Sequence, residues 1–129
     1  MANGTSVSAV FDSDFLIDFL GGLEAARDIP EEYDRRFISI ISFIEVLTGA
    51  EGTEEDGLAR SFLDGYEMVP VSVEIAERAI VLRRARRRLK TPDALVWATA
   101  QSIPDCVLIT RNTRDFPEAD PLIRIPYHL

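Results

Sequence analysis

Short apolar runs alternate along the chain with longer amphipathic stretches. The apolar runs predict five buried strands, at 7–12, 37–41, 67–71, 106–110 and 122–125. Amphipathic periodicity predicts the helices between them, at 13–20, 23–36 with a break at Pro30, 42–51, 53–66, 72–89 and 91–101. Strands that are apolar throughout and alternate with helices are typical of a parallel sheet covered on both faces. The predicted fold class is therefore α/β, as a three-layer α/β/α sandwich with a central parallel sheet.

Residues that favour helix N-termini stand at the start of several of these helices. We expect Ser42, Thr53 and Thr91 to be N-caps, with Pro92 at the first helical position of the last helix. Glu45 follows Ser42 by three residues, which is the spacing of a capping box. On this interpretation the carboxylate of Glu45 only stabilises the start of its own helix.

Acidic residues lie where the predicted strands end and the following helices begin. In doubly wound α/β folds, binding sites form at this carboxyl edge of the sheet. The acids at the edge, with one amide, are Asp12, Asp14, Glu45, Asp93, Asn112 and Asp115. Carboxylates that converge repel one another and lose solvation, and a divalent cation that prefers oxygen ligands removes both penalties. The pattern therefore predicts a Mg²⁺ site, with Mn²⁺ as the alternative ion.

Each acid also has a structural interpretation when it is taken alone. Glu45 fits the capping box, and Asp93 is favoured by the positive end of its helix dipole. Asp12 and Asp115 fit the turns that follow strands. These separate explanations do not account for the position of every such acid at one edge, so their convergence favours the metal site.

Length and composition indicate one globular domain. A chain of 129 residues with 47% hydrophobic residues predicts a single domain over 1–129. No charge-free stretch approaches the roughly 20 residues of a membrane span, and the absence of basic residues before Arg27 argues against a secretory signal. The single cysteine, Cys106, excludes an internal disulfide and fits a reducing cytoplasm. The single histidine, His128, excludes a Cys/His zinc site.

The charge distribution is uneven. The net charge of −8 argues against a simple basic coat for nucleic acid, although metal ions held by carboxylates would reverse the local field. Six of the 14 basic residues lie between Arg83 and Lys90. This run fits either a solvated helix face or a contact with a nucleic-acid backbone. For the second interpretation, Arg84 and Arg88 are four residues apart and are expected to share a helix face.

Four blocks of the sequence, taken in order, resemble the PIN domain. They are Val10–Asp18, Ile40–Leu47, Thr91–Ala100 and Leu108–Phe116. No single block is specific, but their order and spacing fit and extend over nearly the whole chain. Within the family, the sequence is most similar to the VapC-like toxin branch of type II toxin–antitoxin systems.

The resemblance implies a metal-dependent endoribonuclease, in which Mg²⁺ or Mn²⁺ held by acids activates water to attack an RNA phosphodiester. It implies a cytoplasmic toxin that pairs with a cognate VapB-like antitoxin and forms a homodimer. It also implies an acidic quartet that consists of Asp12, Glu45, Asp93 and Asp115. Asp12, Asp93 and Asp115 are the metal ligands within that quartet.

The resemblance further implies supporting roles for three polar residues. Asn112 stands where many relatives have an acid or asparagine that supports the metal. Thr110 corresponds to a hydroxyl that steadies the first aspartate, and Ser13 is a second residue for that role. Asp14 departs from the family, which commonly has an apolar or small residue there, and we assign it no role.

Two other classes of protein share part of this pattern. Asp12 and Asp14 resemble the D-x-D start of HAD-like phosphatases, with Asp12 as nucleophile, but the only lysine, Lys90, is expected away from any strand end. A phospho-receiver domain would need an aspartate after the third strand and a lysine after the fifth, and neither is present. A PIN-like binding module without activity remains as the third alternative, although an intact quartet argues against it.

Overall fold

The structure, a computed structural model, describes residues 7–129, so residues 1–6 of the predicted domain lie outside the described residues. Its sheet contains β1 (Ser8–Phe11), β2 (Arg35–Ser39), β3 (Glu67–Val69), β4 (Cys106–Ile109) and β5 (Ile123–Arg124). The five strands have the order β3-β2-β1-β4-β5, and each neighbouring pair is parallel. The five predicted strands and the parallel sheet are therefore confirmed.

The helices are α1 (Ser13–Leu20), α2 (Ile40–Gly49), α3 (Thr53–Leu63), α4 (Val73–Ala85) and α5 (Thr91–Gln101). The helix predicted over 23–36 is wrong, because the segment forms only two single 3₁₀ turns, Glu24–Ala26 and Pro30–Glu32, before β2 begins. The predicted break at Pro30 is present, since proline has no amide hydrogen to donate to the preceding turn, but neither turn extends beyond three residues. No helix among residues 7–129 is long and apolar enough to cross a membrane.

Alternating side chains of the strands bury two separate cores, one on each face of the sheet. Val10 and Leu108 belong to the core under α4 and α5, together with Trp97. Phe11 and Ile109 belong to the core on the opposite face, under α1, α2 and α3. The α/β/α layering follows directly, since each face of the sheet has its own cover of helices.

The strand order creates a switch point between β1 and β4. The chain proceeds outward from β1 to β2 and β3, then returns to β4 on the other side of β1. β1 and β4 pair in register from Ser8 with Cys106 to Phe11 with Ile109. The residues that follow, Asp12 and Thr110, therefore leave adjacent strand ends in the crevice where α/β folds bind ligands.

The N-caps differ from the predicted ones. Ser39, with extended backbone, caps α2 by accepting a hydrogen bond from the Ile41 amide, so Ser42 is a buried residue inside the helix. The predicted capping box between Ser42 and Glu45 is therefore wrong. Gly52 and Lys90 occupy the cap positions of α3 and α5, so Thr53 and Thr91 are first helical residues, and Pro92 is the second.

Helix α4 ends four residues before its predicted end. Arg86 adopts non-helical backbone angles, φ −132° and ψ 87°, and the chain turns so that Leu89 is buried. The Arg83 guanidinium donates to the Leu89 carbonyl at 2.8 Å and fixes this turn. The expectation that Arg84 and Arg88 share a helix face is therefore wrong, because burial of Leu89 draws the chain out of the helix.

Candidate active site

Asp12 lies between the end of β1 and the start of α1. Its carboxylate accepts hydrogen bonds from the Ser13 amide at 2.8 Å and from the Thr110 hydroxyl at 2.9 Å. Only 4% of Asp12 is exposed. Burial, followed by the charge of Asp14, raises the pKa of Asp12 to about 8. The carboxylate is thus costly to ionise, and a cation beside it would lower that cost.

Asp14 lies beside Asp12 at the same strand edge. Its carboxylate is 3.3 Å from the Thr110 hydroxyl and 3.3 Å from the Arg111 amide. Burial raises the pKa of Asp14, as it does for Asp12. The sequence analysis assigned Asp14 no role. A signal was available, because side chains in the first helical turn tilt back toward the helix N-terminus, here the strand edge.

Glu45 approaches this edge from the second turn of α2 and is exposed. Its carboxylate accepts a hydrogen bond from the Ser13 hydroxyl at 2.8 Å, across 32 residues of sequence. The expectation that the Ser13 hydroxyl steadies Asp12 is therefore wrong, since only the Ser13 amide binds Asp12. Helix α2 begins earlier than predicted, so Glu45 lies in its second turn, where the side chain is free to reach α1.

Asp93 lies in the first turn of α5 and is half-buried. Burial, then the charges of Asp115 and Glu45, raise the pKa of Asp93 to about 6, with a smaller contribution from Asp14. The carboxylates that act on Asp93 therefore come from α1, α2 and the loop after β4. The positive charge of Lys90, at the N-cap position of α5, opposes this rise.

Asp115 and Asn112 bind each other within the loop after β4. The Asn112 side-chain amide donates to the Asp115 carboxylate at 2.8 Å, and the Asp115 backbone amide donates back to the Asn112 side-chain oxygen at 3.2 Å. The Asn112 backbone amide donates to the Thr110 hydroxyl oxygen at 3.2 Å. Thr110 therefore connects Asp12 with the loop that carries Asp115.

Arg111 anchors this loop to α1. Its guanidinium donates to both carboxylate oxygens of Asp18, at 2.6 and 3.1 Å, and the Tyr127 hydroxyl donates to Asp18 at 2.8 Å. Burial of Asp18 opposes its ionisation, but these hydrogen bonds outweigh burial and lower its pKa. The sequence analysis missed this contact, because nothing in local spacing relates residues separated by 93 positions.

The chemistry of the donors fits a hard divalent cation. The assembled groups are carboxylates, an amide oxygen and a hydroxyl, the oxygen ligands that Mg²⁺ and Mn²⁺ prefer. As the side chains stand, no three His, Cys, Asp or Glu residues within 7–129 are grouped closely enough to hold an ion. The carboxylates of Asp12, Asp14, Glu45 and Asp115 are instead hydrogen-bonded to hydroxyl and amide groups. Mutual repulsion disfavours a closer approach of the acids without a cation.

Two neighbouring clefts lie beside the acids. The first, of about 340 Å³, is lined by Asp14 and by residues 111–115. The second, of about 370 Å³, shares Arg114 and Asp115 with the first and includes Arg88. A larger groove of about 770 Å³ between α4 and α5 includes Arg84 but none of the acids. The acids and not this groove define the candidate site, because the groove contains no carboxylate able to bind a metal.

A family model described as PIN domain matches residues 9–121, a span that includes every acid of the site. Among solved structures, a toxin-antitoxin complex from Klebsiella pneumoniae is similar, with 37% identity and a TM-score of 0.85 over 94% of this chain and 99% of that chain. Comparison with curated protein sequences gives no match.

Two further solved structures share the fold at lower identity. VapBC2 from Rickettsia felis, bound to a DNA fragment from its promoter, has 17% identity and a TM-score of 0.73 over 91% of this chain and 96% of that chain. DNA-bound VapBC from Salmonella typhimurium has 22% identity and a TM-score of 0.69 over 92% and 96%. At this level of identity the likeness concerns the fold alone.

Proposed function

The chain belongs to the PIN domain family, and from this premise we propose that it is a metal-dependent endoribonuclease, the toxin of a VapBC-type pair. One observation carries the proposal. Acids from four separate segments lie within electrostatic reach of one another beside the buried Asp12, at the switch point of the sheet. Such an arrangement is costly for a folded protein unless the carboxylates bind a cation.

We propose Asp12, Asp93 and Asp115 as the ligands for Mg²⁺ or Mn²⁺. The three residues belong to the single domain predicted from the sequence. When bound, such an ion lowers the pKa of its water and neutralises charge that develops on the phosphate. Thr110 orients Asp12 through their 2.9 Å hydrogen bond, and Asn112 orients Asp115 at 2.8 Å. These contacts hold the ligands in place, as second partners of metal-binding carboxylates generally do.

Glu45 completes the proposed quartet in a different role. Its carboxylate is exposed and is held by the Ser13 hydroxyl, so one of its oxygens remains free to accept a hydrogen bond. We assign it to orienting the attacking water. Asp14 is added to the site as a neighbour of Asp12 that strengthens the negative field at the cation.

The partner follows from the similarity to the toxin-antitoxin complex from Klebsiella pneumoniae, which extends over nearly all of both chains. A free ribonuclease would harm its host, so we propose a cognate antitoxin that blocks the acidic site. An arginine of that antitoxin suits the carboxylates, because a guanidinium pairs with them bidentately. The homodimer implied by the sequence resemblance stays a prediction.

The decisive experiment measures RNA cleavage by the purified protein with Mg²⁺, with Mn²⁺ and in EDTA. The amide variants of the quartet, such as Asp93→Asn and Glu45→Gln, should each lower the rate at least about tenfold, which is roughly 1.4 kcal/mol of barrier. Asp64→Asn is the matched control, since Asp64 is exposed at the end of α3, and it should retain full activity.

Three outcomes would contradict the proposal or part of it. Cleavage in EDTA would exclude the metal mechanism. Full activity of Glu45→Gln would remove Glu45 from the quartet. Hydrolysis of p-nitrophenyl phosphate without RNA cleavage would favour the phosphatase alternative, in which Asp12 is the nucleophile.

A further inference from the structure

Three successive arginines follow α4 on a turn whose backbone is anchored. Arg86, Arg87 and Arg88 are exposed, while Leu89, the next residue, is 2% exposed and anchors the turn in the core. The Leu89 amide donates to the Arg86 carbonyl at 3.0 Å, and its carbonyl accepts from Arg83. The turn therefore presents three guanidinium groups from a fixed backbone.

The turn faces the loop after β4 across a pocket of about 370 Å³. The pocket is lined by the three arginines of the turn and by Arg114 of the loop, together with Asp115. Arg114 and Asp115 also line the acidic cleft that contains Asp14. The basic pocket thus adjoins the proposed metal centre and shares part of its wall.

The guanidinium groups of this pocket lack carboxylate partners. None of the ion pairs formed among residues 7–129 includes any of its four arginines. Arg86 instead lies over the Trp97 ring, 5.7 Å from its centroid. Four cations without carboxylate partners around one concavity, in a chain of net charge −8, are available to a ligand anion in place of solvent counterions.

A phosphodiester suits this pocket for two reasons. Forked guanidinium donors match the oxygens of phosphate. The acidic centre repels a polyanion before a cation is bound, so the binding energy for RNA has to come from beside the centre. Arg87 also lines the groove between α4 and α5 with Arg83 and Arg84, and this continues the basic surface away from the acids.

We propose that Arg86, Arg87, Arg88 and Arg114 form a subsite for a backbone phosphate of single-stranded RNA, next to the phosphate at the acidic centre. The inference rests on the proposed function, because it identifies the bound strand as the substrate. It replaces the shared helix face expected for Arg84 and Arg88 with a pocket built by two loops, in which Arg88 takes part and Arg84 does not.

The test compares the Arg88→Gln/Arg114→Gln double variant with a matched control, Arg27→Gln/Arg78→Gln, which removes the same charge from exposed positions outside the pocket. Both are made in an Asp93→Asn background, so that RNA is bound but not cleaved. Binding of a short fluorescein-labelled single-stranded RNA is measured by anisotropy over a range of KCl concentrations.

We expect the pocket variant to bind RNA about tenfold more weakly, with a slope of log affinity against log salt that flattens by about 0.7 for each lost phosphate contact. The matched control should keep a steeper slope than the pocket variant. A third variant, Arg88→Lys/Arg114→Lys, should restore most of the slope, and an unchanged melting temperature verifies folding.

The outcomes separate the subsite from the nuclease activity. Equal slopes for the pocket variant and the control would overturn the subsite, even if the wild-type protein cleaves RNA. Weaker binding in the pocket variant with no cleavage by the wild type would support the subsite and contradict the proposed function. Unchanged RNA binding with weaker binding of a co-expressed antitoxin would assign the pocket to an acidic protein segment and overturn the inference.

Discussion

At the scale of single residues, Asp12 has a structural role as the N-cap of α1 and a proposed role as a metal ligand. Its carboxylate caps α1 through the Ser13 amide and also accepts from Thr110. Each hydrogen bond favours the ionised form, yet burial outweighs both and raises its pKa. A residue needed only as a helix cap would be expected at the surface, where capping costs no desolvation.

Asp93 gives a prediction for the metal-free protein. Folding raises the pKa of Asp93 from its ordinary 3.8 to about 6, so the folded state binds this proton more tightly than the unfolded state. The free energy of unfolding in EDTA should therefore fall as pH rises from about 4 through about 6, and its contribution from Asp93 is lost above that range. Asp93→Asn should weaken this pH dependence.

At neutral pH in EDTA, the same variant should raise the melting temperature, by about 4 °C for each kcal/mol of relieved repulsion, while it abolishes cleavage. Thermal unfolding followed by circular dichroism at several pH values measures both effects. If Asp93 only supports the start of α5, the loss of its charge–dipole interaction, about 0.3–1 kcal/mol, should lower the melting temperature instead. Asp64→Asn serves as the control for a general charge effect.

At the scale of secondary structure, the start of α2 decides what Glu45 can do. Because Ser39 is the cap, Glu45 lies in the second turn and its side chain binds Ser13 on α1. Had Ser42 been the cap, the same carboxylate would have bound the helix's own N-terminus. A shift of three residues in the helix start therefore changes Glu45 from a helix cap to a part of the site.

The loop after β4 yields a second prediction, because Asp18 ties it to α1 through Arg111. Asp18→Asn should lower stability by about 1–3 kcal/mol, since it leaves a charged donor without its partner. RNA cleavage should also fall, as the loop carries Asn112 and Asp115. Glu67→Gln is the matched control, because its ion pair with Arg35 is more than half exposed and should contribute less than about 1 kcal/mol.

Urea unfolding and initial cleavage rates of the two variants check this prediction. A cost for Asp18→Asn no larger than that for Glu67→Gln would show that the loop is held by its other contacts. In that case the hydrogen bonds to Asp14 from the Arg111 amide and the Thr110 hydroxyl would hold the loop to α1.

At the scale of the whole molecule, the charge is separated. Acids gather at the carboxyl ends of β1 and β4, while unpaired arginines border them on the α4 side. A net charge of −8 therefore conceals the local arrangement that we propose binds a cation with a polyanion beside it. Average charge is a poor guide to the binding partners of such a protein.

A toxin role predicts an effect on growth. Expression of the wild-type chain alone in a bacterial host should slow growth, and Asp93→Asn should relieve this effect because it removes a proposed metal ligand. Asp64→Asn should remain as harmful as the wild type. If cells grow normally while they contain folded protein that binds Mg²⁺ in vitro, the toxin role is contradicted. The nuclease proposal would not be affected by that result. Growth curves with matched protein levels on immunoblots provide the measurement.

The sequence by itself determined the order of strands and helices and the edge at which the acids gather. Both depend on local patterns, namely apolar runs, helical periodicity and the position of an acid just after a strand. These patterns place Asp12, Glu45, Asp93 and Asp115 at this edge, and the resemblance to the PIN domain implies that they form a quartet. Local patterns could not predict the features that depend on contacts between distant parts of the chain.

Tertiary structure alone decided the cap at Ser39, the end of α4 at Ala85 and the partner of Ser13. In each case the local pattern allowed two conformations, and burial or a long-range hydrogen bond accompanies the one observed. The turn after α4 is the clearest example, because burying Leu89 outweighs further helical hydrogen bonds. That choice moves Arg88 from a helix face into the pocket beside the acids.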